Sequence, residues 1–244
     1  MWDSDTVIID RINLTEKKKI LTDNVMINFD IPSKGIAIMF DDSDYPGHFN
    51  SLWSDSQGLH MNIKTEIEEI SPNHILELME SKDYSNFVWL SKRICIGSEL
   101  NFVWILAHEL QHMAQDLKSN FISKAGFFLT NTLGLIEIEE PPARTTVPYE
   151  LDAEITAWRI AREVFGVEVA DAYIKNNATA ADKPDYYKIT LNHNPDQMYD
   201  VVGNTIRLLR KYQLELEKIQ QKKDLDKSLR NFDIDSVCLE LSKI

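Results

Sequence analysis

Residues 101–117 pose a packing problem that few folds can solve. Asn101-Phe102-Val103-Trp104-Ile105-Leu106-Ala107 is apolar almost throughout, and Met113, Ala114 and Leu117 continue the pattern. His108-Glu109-Leu110-Gln111-His112 stands in the middle of it. Gly97-Ser98-Glu99 supplies a start signal with Ser98 as N-cap, so a helix is expected from about Ser98 to Lys118. Two histidines four apart lie one turn above each other on one helix face. The apolar flanks bury this helix, and buried imidazoles need partners. One divalent cation satisfies both rings. Glu109, one residue past the first ligand, then stands beside the water that the cation carries, the spacing expected of a zinc hydrolase with Glu109 as general base. The rival picture, a surface helix with two solvated histidines, conflicts with the apolar flanks.

A catalytic zinc usually takes three protein ligands and leaves one position to water. A third histidine six residues past His112 is excluded, because position 118 is Lys118, and the glycine that would accompany it at 115 is Gln115. The metzincin pattern is therefore absent. A glutamate from a later helix is the other common solution. Pro148-Tyr149-Glu150-Leu151-Asp152-Ala153-Glu154 provides one, with Pro148 suited to a helix start and acids suited to its first turn. Glu150, Ala153, Glu154, Ala157 and Ala161 share a face whose small residues permit close approach to the HExxH helix. Glu150 is the expected third ligand, and Glu154 is placed to accept the other ring N–H of a ligating histidine. Asp152 and Glu154 are the rival third ligands.

HExxH followed by Glu-x-x-x-Asp/Glu resembles the gluzincin metallopeptidases. Glu150-x-x-Ala153-Glu154 is similar to the Glu-x-x-Ala-Asp of integral-membrane CAAX-type zinc proteases, with Glu for Asp at 154. His108-Glu109-Leu110-x-His112-x-x-Gln115 also resembles small bacterial metallopeptidase-like domains. The likeness covers about residues 98–162. It implies that His108, His112 and Glu150 bind Zn2+, that Glu109 is the base, and that Glu154 supports a ligand. It further implies a Tyr or His after the third ligand that steadies the oxyanion. His193, in the turn-like Asn192-His193-Asn194-Pro195, is the favoured residue, with Tyr186, Tyr187 and Tyr199 as the others.

A net charge of −13 argues against nucleic-acid binding, which needs a basic surface. Lys17-Lys18-Lys19 and Lys222-Lys223 are short, bordered by acids, and read as solvated helix faces. Hydrophobic content of 43% suffices for a packed core in a chain of 244 residues. Cys95 sits in an apolar run and reads as core, and so few cysteines fit a reducing cytoplasm. The acidic N-terminus lacks a secretory signal, and Ala125 to Leu135 is too short and interrupted to span a bilayer.

Asn13-Leu14-Thr15-Glu16 matches a capping box opening a helix to about Thr22. Met26–Phe29, Gly35–Phe40 and Gly58–Lys64 alternate and read as strands, and Arg93–Ile96 as a further one. Asn86 to Leu90 is apolar. Ser71-Pro72-Asn73 opens a helix to about Met79, Glu154–Val164 and Val169–Lys175 are helical, and Pro195 to about Gln220 has helical spacing. The apolar end Ile234, Val237, Leu239, Leu241 is expected to pack back. Strands, then the HExxH helix, then mostly helix is the order of an α+β, zincin-like domain over 1–212, with a charged helical extension over 213–244. In such a fold an edge strand beside the active-site helix pairs with an extended peptide, and Gly58–Lys64 or Gly35–Phe40 are the candidates. The expected activity is zinc-dependent hydrolysis of a peptide or protein substrate. A hydrolase of non-peptide amides or esters and a non-catalytic module of the same shape are the alternatives.

Overall fold

The computed structural model describes residues 7–29, 36–42, 58–62, 86–138, 146–181, 185–222 and 225–244. The expected helix over 71–79 and residues 63 and 64 of the expected strand lie outside them. Helix dominates the described residues, with one small sheet on the N-terminal side. That composition is compatible with an α+β chain. The described residues form two compact units, Met1–Ala114 with Thr156–Asp171, and Gln115–Ile155 with Ala172–Ile244.

The first unit holds the sheet. Its strands are β1 (Val7–Asp10), β2 (Ile36–Phe40), β3 (Gly58–Asn62) and β4 (Asn86–Leu90), in the order β1-β2-β4-β3. β1, β2 and β4 run parallel, and β3 pairs antiparallel with β4 at the end of the order. Ile36-Ala37-Ile38-Met39-Phe40 and Asn86-Phe87-Val88-Trp89-Leu90 are buried at every position. Continuous burial means that both faces of these strands are covered, as parallel sheets require. β2 is therefore interior, and of the two candidate edge strands only the one beginning at Gly58 stands at the sheet's end. Asp41, directly after β2, is buried and accepts from the Trp89 indole at 2.9 Å.

Helix α1 (Glu16–Met26) joins β1 to β2, with Thr15 as its N-cap accepting from the Lys18 amide at 3.3 Å. It ends at Met26, where the expected strand over Met26–Phe29 would begin. That stretch is not a strand: Asn28 and Phe29 close turns onto Val25 and Met26 and prolong the helix end. Arg93–Ile96 is likewise not a strand but part of helix α2 (Lys92–Ile96), because β4 has already used the preceding apolar run. The two differences have a common consequence at Lys18. This residue is not on a solvated face: it is 5% exposed, and its ammonium donates to the carbonyls of Cys95 and, at 2.8 Å, Gly97. It also lies over the Phe102 ring, 5.2 Å from its centroid. Carbonyls ending a helix lack internal donors, and a cation there meets that need. Burial lowers the Lys18 pKa, opposed by the neighbouring Cys95 and Glu99. Lys17 and Lys19 behave as expected, pairing with Glu99 at 2.6 Å and Glu16 at 3.0 Å. Cys95 is buried, and burial pushes its thiol up to about 12.

Helix α3 (Glu99–Lys118) starts where expected: the Ser98 hydroxyl accepts from the Asn101 amide at 3.3 Å. Its Phe102 ring meets Phe40 of β2 at 5.6 Å. Helices α4 (Asn120–Thr132) and α5 (Pro148–Phe165) follow, α5 opening on proline as read. Between α5 and α6 (Val167–Thr179) the chain turns at Gly166, φ +88°, a left-handed conformation that favours glycine. Arg162 clasps Asp171 across this corner at 2.7 and 2.9 Å, and the Trp158 indole donates to the same carboxylate at 2.8 Å.

The second unit is a helical core. Helix α7 (Tyr186–Thr190) precedes α8 (Val201–Lys211), α9 (Gln213–Gln220), α10 (Lys227–Arg230) and α11 (Ile234–Leu241). The expected continuous helix over 195–220 is thus two helices that begin later. The Asp200 carboxylate accepts from the Gly203 amide at 2.8 Å and fixes the start of α8, and the chain breaks again at Tyr212. Ile122, Phe128, Leu129, Leu209, Ile234, Val237 and Leu241 share one buried cluster. The apolar end does pack back, except that Leu239 is exposed: it falls off the i, i+3, i+7 stripe of its neighbours. Phe128 stacks on Phe232 at 4.0 Å, whereas Phe127 faces outward. No helix among the described residues is long and apolar enough to cross a membrane.

Lys18→Met keeps the aliphatic stem and removes the donor to two carbonyls. The substitution should cost about 1–3 kcal/mol, since buried acceptors lose their partner. Urea unfolding followed by far-UV circular dichroism measures it, with Lys19→Met as the control that leaves the midpoint in place.

Candidate metal centre

Helix α3 is buried nearly all round. Phe102, Val103, Trp104, Leu106, Ala107, Leu110 and Met113 are fully inside, and so are the polar Glu109, His112, Gln115 and Asp116. Each polar group inside such a helix must be met by something, or it costs free energy. His108 and His112 meet each other: their Nε2 atoms are 2.9 Å apart, with the ring planes 88° from parallel. A neutral imidazole presents one nitrogen lone pair. Two such lone pairs turned together accept a shared proton or a shared cation. Glu150 completes the set. One ligand atom from each of His108, His112 and Glu150 lies within 4.8 Å of the others, a group able to hold a metal ion. Two imidazoles and one carboxylate is a donor set that suits first-row divalent metals.

Glu150 occupies the first turn of α5, and three contacts seat that turn. The Leu151 amide donates to Val147 at 3.0 Å, which begins the helix ladder. The Tyr149 ring rests on Gly126 of α4, where an added Cβ would stand 2.5 Å from the ring. Gln115, three residues past His112 and on the same face of α3, donates from Nε2 to the Tyr149 carbonyl at 3.0 Å and to Asp152 Oδ2 at 2.7 Å. This engages Asp152, the first rival third ligand, with an amide. Ala153, Ala157 and Ala161 are all fully buried, the small face expected of this helix.

Glu154, the second rival, is buried one turn beyond Glu150 and acts on three phenols. Tyr187 packs against Tyr186 at 4.3 Å and Tyr173 at 6.4 Å between ring centroids, and the hydroxyls are hydrogen-bonded from Tyr173 through Tyr187 to Tyr186. Burial first, with the charge of Glu154 adding to it, holds all three well above the ordinary phenol pKa. Each therefore keeps its proton across the physiological range. Glu150 also raises Tyr186, the phenol on which both carboxylates act. His193 lies edge-on to Tyr199 at 5.5 Å, and burial alone lowers its pKa, so the imidazole is neutral at pH 7. Tyr199 is pushed up to about 12 by burial, with Asp152 adding to the effect.

Glu109 projects toward the edge of the sheet. An added Cβ at Gly58 of β3 would stand 2.7 Å from Glu109 Cγ and 2.8 Å from its Oε1. The strand backbone thus forms the wall against which this carboxylate rests. Two residues further along that strand His60 Nε2 lies 3.1 Å from Asn86 Oδ1, a cross-strand contact. The parts of the site not foreseen from sequence are Gln115 as a donor, Gly126 as the seat of Tyr149, and Gly58 beside Glu109. Gln115 carried a signal, since 108, 112 and 115 follow the i, i+4, i+7 rule. The two glycines carried none.

The purified chain should bind one divalent ion, read by mass spectrometry of the metal content. His112→Ala should lose it and Glu150→Ala should bind it far more weakly, and stoichiometric metal in His112→Ala contradicts the ligand set. No protein-family model matches the chain, and no curated protein or solved structure matches it, so the chemistry of this centre is carried by its own residues.

Proposed function

We propose that this chain is a zinc-dependent peptidase of zincin type, with His108, His112 and Glu150 as the ligands and Glu109 as the general base. The observation that carries the reading is the convergence of His108, His112 and Glu150 within 4.8 Å, one residue from a buried glutamate. An ion in this place supplies Lewis acidity and lowers the pKa of a coordinated water. Glu109 accepts the proton of the attacking water at its carboxylate and returns it to the leaving amine. Gly58 keeps that carboxylate in place by leaving room for it. Tyr186 is the donor to the developing oxyanion, because its phenol keeps its proton and neighbours Glu150 and Glu154. His193, neutral and set against Tyr199, is the other residue for that role.

A peptide is favoured over other acyl substrates by the sheet. β3 ends the strand order, runs antiparallel to β4, and abuts Glu109. An extended backbone laid along such an edge presents its carbonyls in sequence to the base. The mixed sheet with an antiparallel end strand beside the HExxH helix is the arrangement that supports the zincin reading.

The test is digestion of a peptide library by the zinc-loaded chain, with products identified by mass spectrometry. Glu109→Gln should retain zinc and lose activity by about 10²–10⁴-fold, the usual contribution of a positioned base. Cleavage confined to non-peptide amides or esters replaces the substrate class. Full zinc occupancy with no turnover on either class supports a binding module instead. Gly58→Ala should also retain zinc and lose at least about tenfold in kcat, because the new methyl displaces Glu109 by a fraction of an ångström.

A further inference from the structure

We propose that Gln115 is the positioning residue that makes Glu150 a metal ligand. The inference rests on the metal-centre reading above and adds a residue to it. Gln115 is 2% exposed, so its amide is withdrawn from water and must be satisfied by protein. It spends one NH₂ group on two acceptors that straddle Glu150 in sequence: the carbonyl of Tyr149 at 3.0 Å and Oδ2 of Asp152 at 2.7 Å. Residues 149 and 152 lie three apart, and therefore on neighbouring rows of the same helix surface. Two bonds to such a pair fix both the roll of the helix about its axis and its slide along it. Each residue of roll turns a helix by about 100°, so a small roll error swings Glu150 off the imidazoles.

The donor itself stands three residues past His112 on α3. The α-helix is rigid over one turn, so Gln115 is a ruler anchored at the histidines and read at the first turn of α5. That turn gains from one, because the end of a helix frays most readily. Only an amide fits the position. A carboxylate at 115 would face that of Asp152, and an apolar side chain would remove the donor that the two acceptors share. The Asp152 contact is charge-assisted and the shorter of the two, so it carries the larger share of the restraint.

The test measures Zn2+ and Co2+ affinity of the full chain by competition with a chromophoric chelator, alongside the visible spectrum of the Co2+ form and the thermal midpoint of the metal-free form. Gln115→Met should weaken both metals by about 10–100-fold, the range for residues that orient a ligand, and change the Co2+ bands. Asp152→Asn keeps an oxygen acceptor for the Gln115 amide and should hold affinity near that of the parent. Asp152→Leu removes the acceptor and should behave as Gln115→Met does. The double variant Gln115→Met/Glu150→Ala should bind no more weakly than Glu150→Ala alone, because Gln115 acts through Glu150.

A parent chain that binds neither metal overturns the metal centre itself. A parent that binds while Gln115→Met binds equally well overturns only the positioning role. So does additivity in the double variant. Where Gln115→Met fails to fold, the Asp152→Asn and Asp152→Leu pair decides: equal affinity in the two overturns the proposal, and loss confined to Leu supports it.

Discussion

A helix that is apolar on nearly every side, yet carries two imidazoles and a carboxylate at its centre, can be buried only where its surroundings answer those groups. The rest of the site follows from that demand. His108 and His112 are turned nitrogen to nitrogen, Glu150 comes within reach of both, and Gln115 spends its amide on the turn that bears Glu150. The neighbours make room: Gly126 admits the Tyr149 ring, Gly58 admits Glu109, and a buried row of alanines lines α5. Polar groups inside and small residues around them are two sides of one packing solution.

The electrostatic setting is strongly one-sided. Glu109, Asp116, Asp152 and Glu154 are all buried, and Glu150 is half-buried. Tyr173, Tyr186 and Tyr187 are held in their neutral, donating form by burial first, with the charge of Glu154 adding to it. A group that donates without bearing charge is the kind of neighbour that a carboxylate cluster tolerates without becoming less able to bind a cation. His193, neutral and screened by Tyr199, is of the same kind.

Much of this was legible in the sequence wherever a pattern is local and repeated. The bounds of α3, the proline that opens α5, the small face of α5 and the strand beginning at Gly58 all follow from caps, periodicity and turn residues. Glu150 was legible too, because the first turn of a helix advertises its acids. The failures share a different cause. Met26–Phe29 and Arg93–Ile96 each span only about one helical turn, where helix and strand patterns coincide. Lys18 looked solvated because two lysines flank it, and its true partners lie 77 and 79 residues away. The single helix over 195–220 concealed two breaks, at the Asp200 cap and at Tyr212, which the apolar spacing steps across. Gly58 and Gly126 were invisible because a missing Cβ matters only once the neighbour is known.

The order of strands has a consequence for the way the chain assembles. β3 is made before β4 but pairs with it, and β4 also joins β2. β3 therefore precedes its sheet partner along the chain. The span from β2 to β4 must close as one long loop, which is slow and entropically costly. The moment of closure brings Gly58 to the sheet, and α3 follows only two short steps later along the chain. The wall beside Glu109 thus takes its place in the sheet only once β4 is there to pair with β3.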